Sequence, residues 1–356
     1  MRRLYLFRHA LPDFPNEEKY CIGSTDLPLG PLGRMQACLA AWEMKNKVFD
    51  RVFCSRLARS RETAAYLSPC PTVLDGLEEM YAGVWDGLPF SQIRQQWPEV
   101  FEARGRDLRF PIPGAETPAE GQKRFLAALD RAFAMSEGDI AVVGHATVNQ
   151  TFLCHVLGLP PEEGRQFFLP YASYCVLTWD GDYHLESMAN TLHPPLTPEL
   201  CRSLLNAAGT PETVQRHCEA VAALARKLCQ ALNEAGCSLD EGFTCTAALL
   251  HDIARTQPCH PQVGAKWLDS LGYPKHSDIL RQHHDLDSTA LNEAALVFLA
   301  DKLIQGEQRV PLAQRFSQAQ EKCQTPEALA AHDARLAQAL ALRDRITQIC
   351  QKEIAL

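Results

Sequence analysis

Along the first half of the chain, short apolar runs alternate with longer stretches of helical period. The segments "RLYLFRH" (3–9), "DRVFCSR" (50–56), "PTVLDG" (71–76) and "DIAVVGH" (139–145) are nearly continuous apolar runs bounded by polar residues. That pattern predicts strands covered on both faces. Between them, "GRMQACLAAWEMK" and "ARSRETAAYL" predict helices, and "YCVLTWDGDYHLESMA" (174–189) predicts a hairpin turning at Asp180-Gly181. The alternation implies a three-layer α/β domain over residues 1–190.

The pattern then changes. "NTLHPPLTPEL" (190–200) is rich in proline and polar residues and predicts a linker at 191–200. Beyond it the period-2 signal fades. "PETVQRHCEAVAALARKLCQAL" is amphipathic, with Val214, Cys218, Val221, Leu224 and Leu228 near one face. "FTCTAALLHDIA", "QVGAKWLDSLG", "HSDILRQHH", "EAALVFLADKLI" and the C-terminal "PEALAAHDARLAQALALRDRITQICQKE" also predict helices, so residues 201–356 read as an all-α domain. The last helix is expected to pack on that domain through Leu336, Leu340, Ile346 and Ile349.

A chain of 356 residues is comfortable with two cores. Its net charge of −8 argues against a general affinity for nucleic acid or anionic membrane, while leaving room for a local basic pocket. None of the 14 cysteines forms a Cys-x-x-Cys pair, and Cys54, Cys154 and Cys175 lie inside apolar runs. They read as free thiols packed as small hydrophobes in a reducing compartment. With no signal-peptide pattern before Arg8-His9 and no run long enough to span a bilayer, a cytoplasmic location is expected.

A strand that ends on two adjacent ionisable residues invites a chemical reading. Open α/β sheets place their sites at the carboxyl ends of strands. A neutral imidazole at His9 would be a nucleophile toward phosphorus, and the Arg8 guanidinium could hold phosphate oxygens by forked hydrogen bonds. Such a site needs a second cation, a proton donor for the leaving oxygen and a further donor for developing charge. Arg59 in "CSRLARSRETA", Glu79 in "LEEMYAGVWDG" and His145 in "VVGHA" each follow a predicted strand and could supply them.

In that order, "LFRHA", "GSTDLPLGPLG" (23–33), "SRLARSRETA" (55–64), "LEEMYAGVWDG" (77–87), "PGAET" (113–117) and "VVGHA" (142–146) resemble the histidine phosphatase superfamily, which includes phosphoglycerate mutases and α-ribazole phosphatases. The resemblance covers about residues 1–190. It implies that His9 becomes a phosphohistidine and that Arg8, Arg59 and His145 bind the transferring phosphoryl group. Glu79 would be the proton donor and then the base for water, and Glu116 and Thr117 would contribute to the pocket. No metal is implied here. The chain departs from the commonest wording at Ala10, where glycine is usual, and at Ala146-Thr147-Val148-Asn149-Gln150, where many members read Gly-Gly-x-x-Arg. Residues 88–138 are short for a mutase, so phosphatase is the better fit. A phosphoglycerate-type mutase and an α-ribazole-5'-phosphate phosphatase are the alternatives.

The helical half carries a second constellation. "TAALLHD" ends on His251-Asp252, His217 lies on an earlier helix, and "ALVFLAD" ends on Asp301. Charged groups at the ends of apolar runs are expensive to bury unless they are paired or bind metal. Imidazole with carboxylate suits a borderline divalent ion such as Mn, Fe, Ni or Zn. The set His217, His251, Asp252, Asp301 resembles the HD-domain phosphohydrolases over about 205–310. "HPQVGAKWL" (260–268) and "ILRQHHD" (279–285) are similar to members with two ions, which implies further ligands at His260, His283 and His284 and a bridging role for Asp252. The Gly-Tyr-Pro signature of cyclic-dinucleotide phosphodiesterases is missing after His284. Lys302 could meet a phosphate or face solvent, and His155, His184, His193, His276 and His332 read as structural or surface residues. The expectation is a bifunctional phosphohydrolase acting on small phosphorylated metabolites or nucleotides. The alternative for the second half is a regulatory nucleotide-binding module.

Overall fold

The computed structural model describes residues 1–321 and 323–351. The chain divides into two compact units, Met1–Pro194 and Pro195–Leu356.

The first unit is built on six strands: β1 (Arg2–Arg8), β2 (Arg51–Cys54), β3 (Thr72–Val73), β4 (Ile140–Gly144), β5 (Tyr174–Trp179) and β6 (Tyr183–Asn190). Their order is β3-β2-β4-β1-β5-β6. The first four are mutually parallel, and β5 and β6 are antiparallel additions beside β1. The helices are α1 (Pro31–Met44), α2 (Ala58–Leu67), α3 (Phe90–Gln96), α4 (Pro98–Arg106), α5 (Pro118–Ala134) and α6 (Ala146–Val156).

The continuous apolar run of β1 has a direct cause. Successive side chains point to opposite faces. Leu4 and Leu6 join Phe125, Leu129 and Phe152 of α5 and α6 on one face. Tyr5 and Phe7 join Ala40, Met44 and Ala64 of α1 and α2 on the other. Both faces are therefore core, as expected of a sheet sandwiched between helix layers. The outer strand β6 alternates half-buried and exposed positions instead, and Gly181 takes a positive φ of 121° in the turn before it.

The second unit contains α7 (Pro198–Ala208), α8 (Glu212–Glu234), α9 (Glu241–Leu250), α10 (His260–Ser270), α11 (Pro274–Gln282), α12 (Glu293–Lys302), α13 (Leu312–Gln320) and α14 (Pro326–Cys350). Helix α12 is its axis: every residue from Ala294 to Lys302 is buried, which is why its sequence shows no polar stripe.

The unit is helical as expected, with one small hairpin of β7 (Ile304–Gln305) and β8 (Gln308–Arg309) after α12. Two expectations need correction. The segment expected as linker at 191–200 already contains the start of α7, since the Thr197 side chain caps the helix by accepting from Leu200 N at 3.2 Å and Pro198 sits at its first position. In α14 the buried face is His332, Ala339, Leu342 and Ile346. Of the expected Leu336, Leu340, Ile346 and Ile349, only Ile346 is fully buried. Residues 352–356 of the expected domain lie outside the described residues. Among the described residues, no helix is long and apolar enough to cross a membrane.

Candidate active sites

Strands β1 and β4 are parallel neighbours, with Arg8 opposite Gly144. The residues that follow, His9 and His145, therefore leave the sheet side by side, and their ring centroids are 5.0 Å apart. Strand β2 lies beside β4 and ends at Cys54, which brings Ser55 and the first turn of α2 to the same edge. A side chain at Gly144 would sit 2.3 Å from Asn149 Oδ1. Asn149 needs that space because its Nδ2 donates to Phe7 O at 3.0 Å and ties α6 to β1.

His9 and His145 are both buried. His9 Nδ1 lies 2.7 Å from Ala10 O. Donation to that carbonyl places the ring proton on Nδ1 and leaves a lone pair on Nε2. Burial first, then the Arg59 and Arg8 guanidiniums, hold the His9 pKa well below its ordinary value of 6.5. The ring is therefore neutral at neutral pH. His145 is lowered by the same causes, in the same order for burial and Arg59. Its Nε2 is 2.8 Å from Ser55 Oγ. When Ser55 donates, the His145 proton sits on Nδ1.

The two arginines are held by backbone. Arg8 Nη1 donates to Leu169 O at 2.6 Å, and its guanidinium carbon lies 3.7 Å from the Tyr171 ring centre. Arg59, fully buried on the first turn of α2, donates through Nη1 to Thr25 O at 2.8 Å and through Nη2 to Ile22 O and Gly23 O at 3.0 and 2.9 Å. The loop offering those carbonyls is itself pinned, because Asp86 accepts from Ser24 N and Thr25 N at 2.7 and 3.0 Å. This leaves Arg8 Nε, Arg59 Nε and His145 Nδ1 buried with no partner among the described residues. Buried donors are rarely left so. Unpartnered donors on the three residues expected to hold an anion beside His9 are what phosphate oxygens would satisfy.

Glu79 sits at the N-terminus of α6. Its Oε2 accepts from Thr147 N and its Oε1 from Val148 N, both at 3.0 Å. These bonds orient Glu79 on the cavity that also exposes Arg8 and His9.

In the helical unit, all seven expected ligands come together. His260, His283 and His284 form one group, and His217, His251 and Asp252 another, with the possible ligand atoms of each group within 4.8 Å of one another. Asp301 Oδ1 adjoins the second group, 3.2 Å from His217 Nε2 and 3.7 Å from His251 Nε2. Asp252 reaches both groups. Its Oδ1 is 3.0 Å from His260 Nε2 and 3.6 Å from His283 Nε2, and its Oδ2 is 3.8 Å from His251 Nε2.

These residues fit a metal. His251 Nδ1 and His283 Nδ1 each lie 2.7 Å from a backbone carbonyl, Ala248 O and Leu280 O. Those bonds place the protons on Nδ1 and aim the Nε2 lone pairs inward. His251 Nε2, His283 Nε2 and Asp252 Oδ1 are buried with no hydrogen-bond partner among the described residues. Acceptor atoms facing one another call for a shared cation. A cavity of about 640 Å³ lies over the cluster, lined by Arg255, Lys302, Arg315 and Phe316 among others. Lys302 is neither solvated nor free: its Nζ donates to Asp301 Oδ2 at 2.7 Å and to His283 O at 3.3 Å.

Comparison with known proteins finds a family match in each half of the chain. The model of the histidine phosphatase superfamily (branch 1) matches residues 4–191. The chain belongs to the histidine phosphatase superfamily. The HD-domain model matches residues 214–305, so this phosphatase also carries an HD domain. A protein named "Putative phosphoserine phosphatase 2" from Hydrogenobacter thermophilus is 29% identical over 187 residues, covering 51% of this chain and 92% of that protein. "Probable phosphoglycerate mutase GpmB" from Yersinia enterocolitica is 27% identical over 207 residues, covering 54% of this chain and 95% of its own. Among solved structures, YhfR of Bacillus stearothermophilus shares the fold with a TM-score of 0.50 at 23% identity, over 54% of this chain and 98% of that one.

Two residues expected at the pocket are held by neighbours on α5. Thr117 caps α5, accepting from Glu120 N at 3.3 Å while the Glu120 carboxylate accepts from Thr117 N at 2.9 Å; it is absent from the cavity before His9. Glu116 is engaged by Arg124 Nε and Nη2 at 2.8 and 2.7 Å. Other residues were not legible as site residues. Ser55 and Tyr171 touch the catalytic pair only through the fold, and Arg104 and Arg165 reach the cavity from segments with no motif. Only the run after β2 offered a signal for Ser55.

Proposed function

We propose that the chain is a bifunctional phosphohydrolase. Its first domain hydrolyses a phosphomonoester through phospho-His9, and its HD domain carries out a metal-dependent hydrolysis of a nucleotide or similar phosphorylated metabolite. The reading of the first domain rests on one observation: a neutral His9, with its Nε2 lone pair free, stands among unpartnered buried donors of Arg8, Arg59 and His145.

In the first step His9 Nε2 attacks phosphorus. The N–P bond forms as the bond from phosphorus to the ester oxygen breaks, and Glu79 gives its proton to the departing oxygen. Arg8, Arg59 and His145 take the charge that gathers on the equatorial oxygens. In the second step Glu79 takes a proton from water, the water oxygen bonds to phosphorus, and the N–P bond breaks to return neutral His9 and release phosphate.

In the HD domain His217, His251, Asp252 and Asp301 would hold one ion, and His260, His283 and His284 a second, with Asp252 between them. Bound Mn, Fe, Ni or Zn supplies a water acidic enough to serve as hydroxide near neutral pH and draws charge from phosphoryl oxygens. Lys302 keeps Asp301 charged and oriented, and Arg255 and Arg315 face the cavity where a phosphate would lie.

The test is a panel of phosphorylated metabolites assayed with and without chelator, together with acid-labile radiolabel trapped on the protein. Two activities, one chelator-resistant with label on His9 and one chelator-sensitive, are expected. Complete loss of both on chelation would refute the two-site reading.

A further inference from the structure

The cavity before His9 holds about 360 Å³, near the lower end of the ~300–1,000 Å³ typical of small-ligand sites. One part of its wall is cationic and is not needed for phosphoryl transfer. Arg104, near the end of α4, and Arg165, in the short 3₁₀ turn Pro161–Gln166, both line it. The Nε of each is buried without a partner among the described residues. Neither arginine has a carboxylate within ion-pair distance there, although twelve other described arginines do, Arg124 beside the site among them.

Each side chain is braced rather than loose. Arg165 Nη1 donates to Gln150 Oε1 at 3.4 Å, and Gln150 Nε2 is anchored on Phe167 O at 2.6 Å. Arg104 Nη1 donates to Leu108 O and, at 2.9 Å, to Phe110 O. The two guanidiniums repel. Burial first and then Arg165 push the Arg104 pKa down to about 10. Burial lowers Arg165 as well; Glu79 and Cys21 act in the opposite sense and Arg8 adds to the lowering. Glu79 does not neutralise the pair at contact, because both its oxygens accept from the end of α6. Two neighbouring cations, half-withdrawn from water and fixed by neutral partners, are costly unless an anion comes between them. The rest of the wall is aromatic and aliphatic: Trp85, Phe90, Phe101 and Ile112.

We propose that Arg104 and Arg165 form a second anion subsite, so that the substrate of His9 is a small phosphomonoester bearing a second anionic group, a carboxylate or another phosphate, on a short carbon framework. The proposal rests on the phosphatase reading of His9 and goes beyond it, since the second group never meets the nucleophile. Arginine suits either anion because its fork matches both geometries.

Three probes isolate the second group: glycerol 3-phosphate, which lacks it; 3-phosphoglycerate, which has a carboxylate; and propane-1,3-diol bisphosphate, which has a second phosphate. Their kcat/KM values on the full chain, with chelator present, are expected to favour at least one doubly anionic probe over glycerol 3-phosphate by ten-fold or more. The favoured probe identifies the group. In Arg165→Gln that ratio falls to within about two-fold, and Arg165→Lys recovers part of it. Arg104→Gln lowers the same ratio. Because Arg104 also braces its own chain, Arg165→Gln is the deciding variant. Calorimetric binding of the same probes to His9→Asn, with and without Arg165→Gln, reads the subsite without turnover. If the three probes bind and react alike, or if Arg165→Gln weakens all three equally, the subsite is overturned. If binding discriminates through Arg165 while no probe is hydrolysed, the subsite stands and the phosphatase reading falls.

Discussion

The two sites of this chain use the same side chain in opposite electrostatic settings. His9 and His145 are buried among guanidiniums; after burial, Arg59 is the largest cause that keeps each imidazole neutral. His251 is also fully buried, and burial works to lower its pKa. Cys218, Asp252 and Asp301 outweigh that and raise it well above the ordinary value. Asp252 and Asp301, despite burial, are held below the usual carboxylate range by neighbours that include His251. A histidine among cations is short of an anion, and a histidine among carboxylates is short of a cation. The first setting makes a nucleophile that waits for phosphate. The second gathers carboxylates that favour a cation at His251 Nε2, which a proton supplies until a metal displaces it. What the pockets lack thus distinguishes two chemistries that both act on phosphate esters.

The largest break in this comparison comes from the reacting groups. His9→Ala should lower the chelator-resistant activity by at least about 10⁴-fold, the scale seen when a nucleophile is removed, and leave the chelator-sensitive activity in place. Asp252→Ala should do the reverse. Loss of both activities in either variant would show that the sites are not independent.

Next comes the cationic cradle. Arg59→Lys should cost about 10²–10³-fold in kcat of the chelator-resistant activity, the range for removing a preorganised donor to a developing charge. An ammonium cannot reach Thr25 O, Ile22 O and Gly23 O while presenting a further donor, as the Arg59 fork does. A change below about three-fold would mean that Arg59 only braces the 22–25 loop.

The metal setting should show in stability. Adding Mn, Fe, Ni or Zn at 100 times its dissociation constant to chelator-treated protein should stabilise the HD domain by about 2.7 kcal/mol, seen as a rise in its melting transition. His283→Ala should diminish the rise. A melting curve indifferent to all four ions would contradict the metal reading.

The phosphatase domain should respond to pH instead. His9 and His145 have native pKa values below the ordinary 6.5, so below pH 6.5 the unfolded state binds more protons than the native one. Stability is therefore full above about pH 6.5 and is lost as pH falls from there toward the lowered native values, by up to about 1.4 kcal/mol per pH unit for each histidine. Hydrogen exchange of the β1 and β4 amides measures this apart from the HD domain. Equal protection at pH 7 and pH 5 would argue against neutral buried imidazoles.

The smallest effect separates a structural residue from the site. Thr117→Ala removes the α5 cap and should cost about 1 kcal/mol, with kcat of the chelator-resistant activity unchanged. A ten-fold fall in kcat at unchanged stability would return Thr117 to the pocket.

Three of the strands, the layer order and the change of character near residue 190 were legible because apolar periodicity reports which faces are covered; the run 71–76, expected as a strand covered on both faces, pairs only at Thr72–Val73 with Val73 exposed, because it lies at the sheet edge. Where the covering was local the reading held, as in α2, whose run Ala58–Leu67 matches its sequence signature. It failed where a short-range competitor acted. Thr197-Pro198 starts a helix inside a polar, proline-rich stretch, and the α14 face is chosen by what it packs against rather than by its largest aliphatics. The motif residues were legible because each follows a strand or ends an apolar run. Arg104, Arg165 and Tyr171 were not, since each stands outside any motif or strand end, and Ser55 showed only as the first residue of the run after β2.

By itself, the sequence determined the chemical inventory: a histidine and arginine at a strand end, a glutamate and second histidine after later strands, and a His/Asp set on helices. It also determined that two layered cores would carry them. The tertiary structure decided what each group lacks. Whether His9 is neutral depends on where the Arg59 side chain is buried. Whether Asp252 can bridge depends on which histidines α10, α11 and the end of α9 bring to each of its oxygens. Charge and hydrogen-bond satisfaction act through space over a few ångströms, and residues that far apart in space here lie tens to more than a hundred positions apart in the chain.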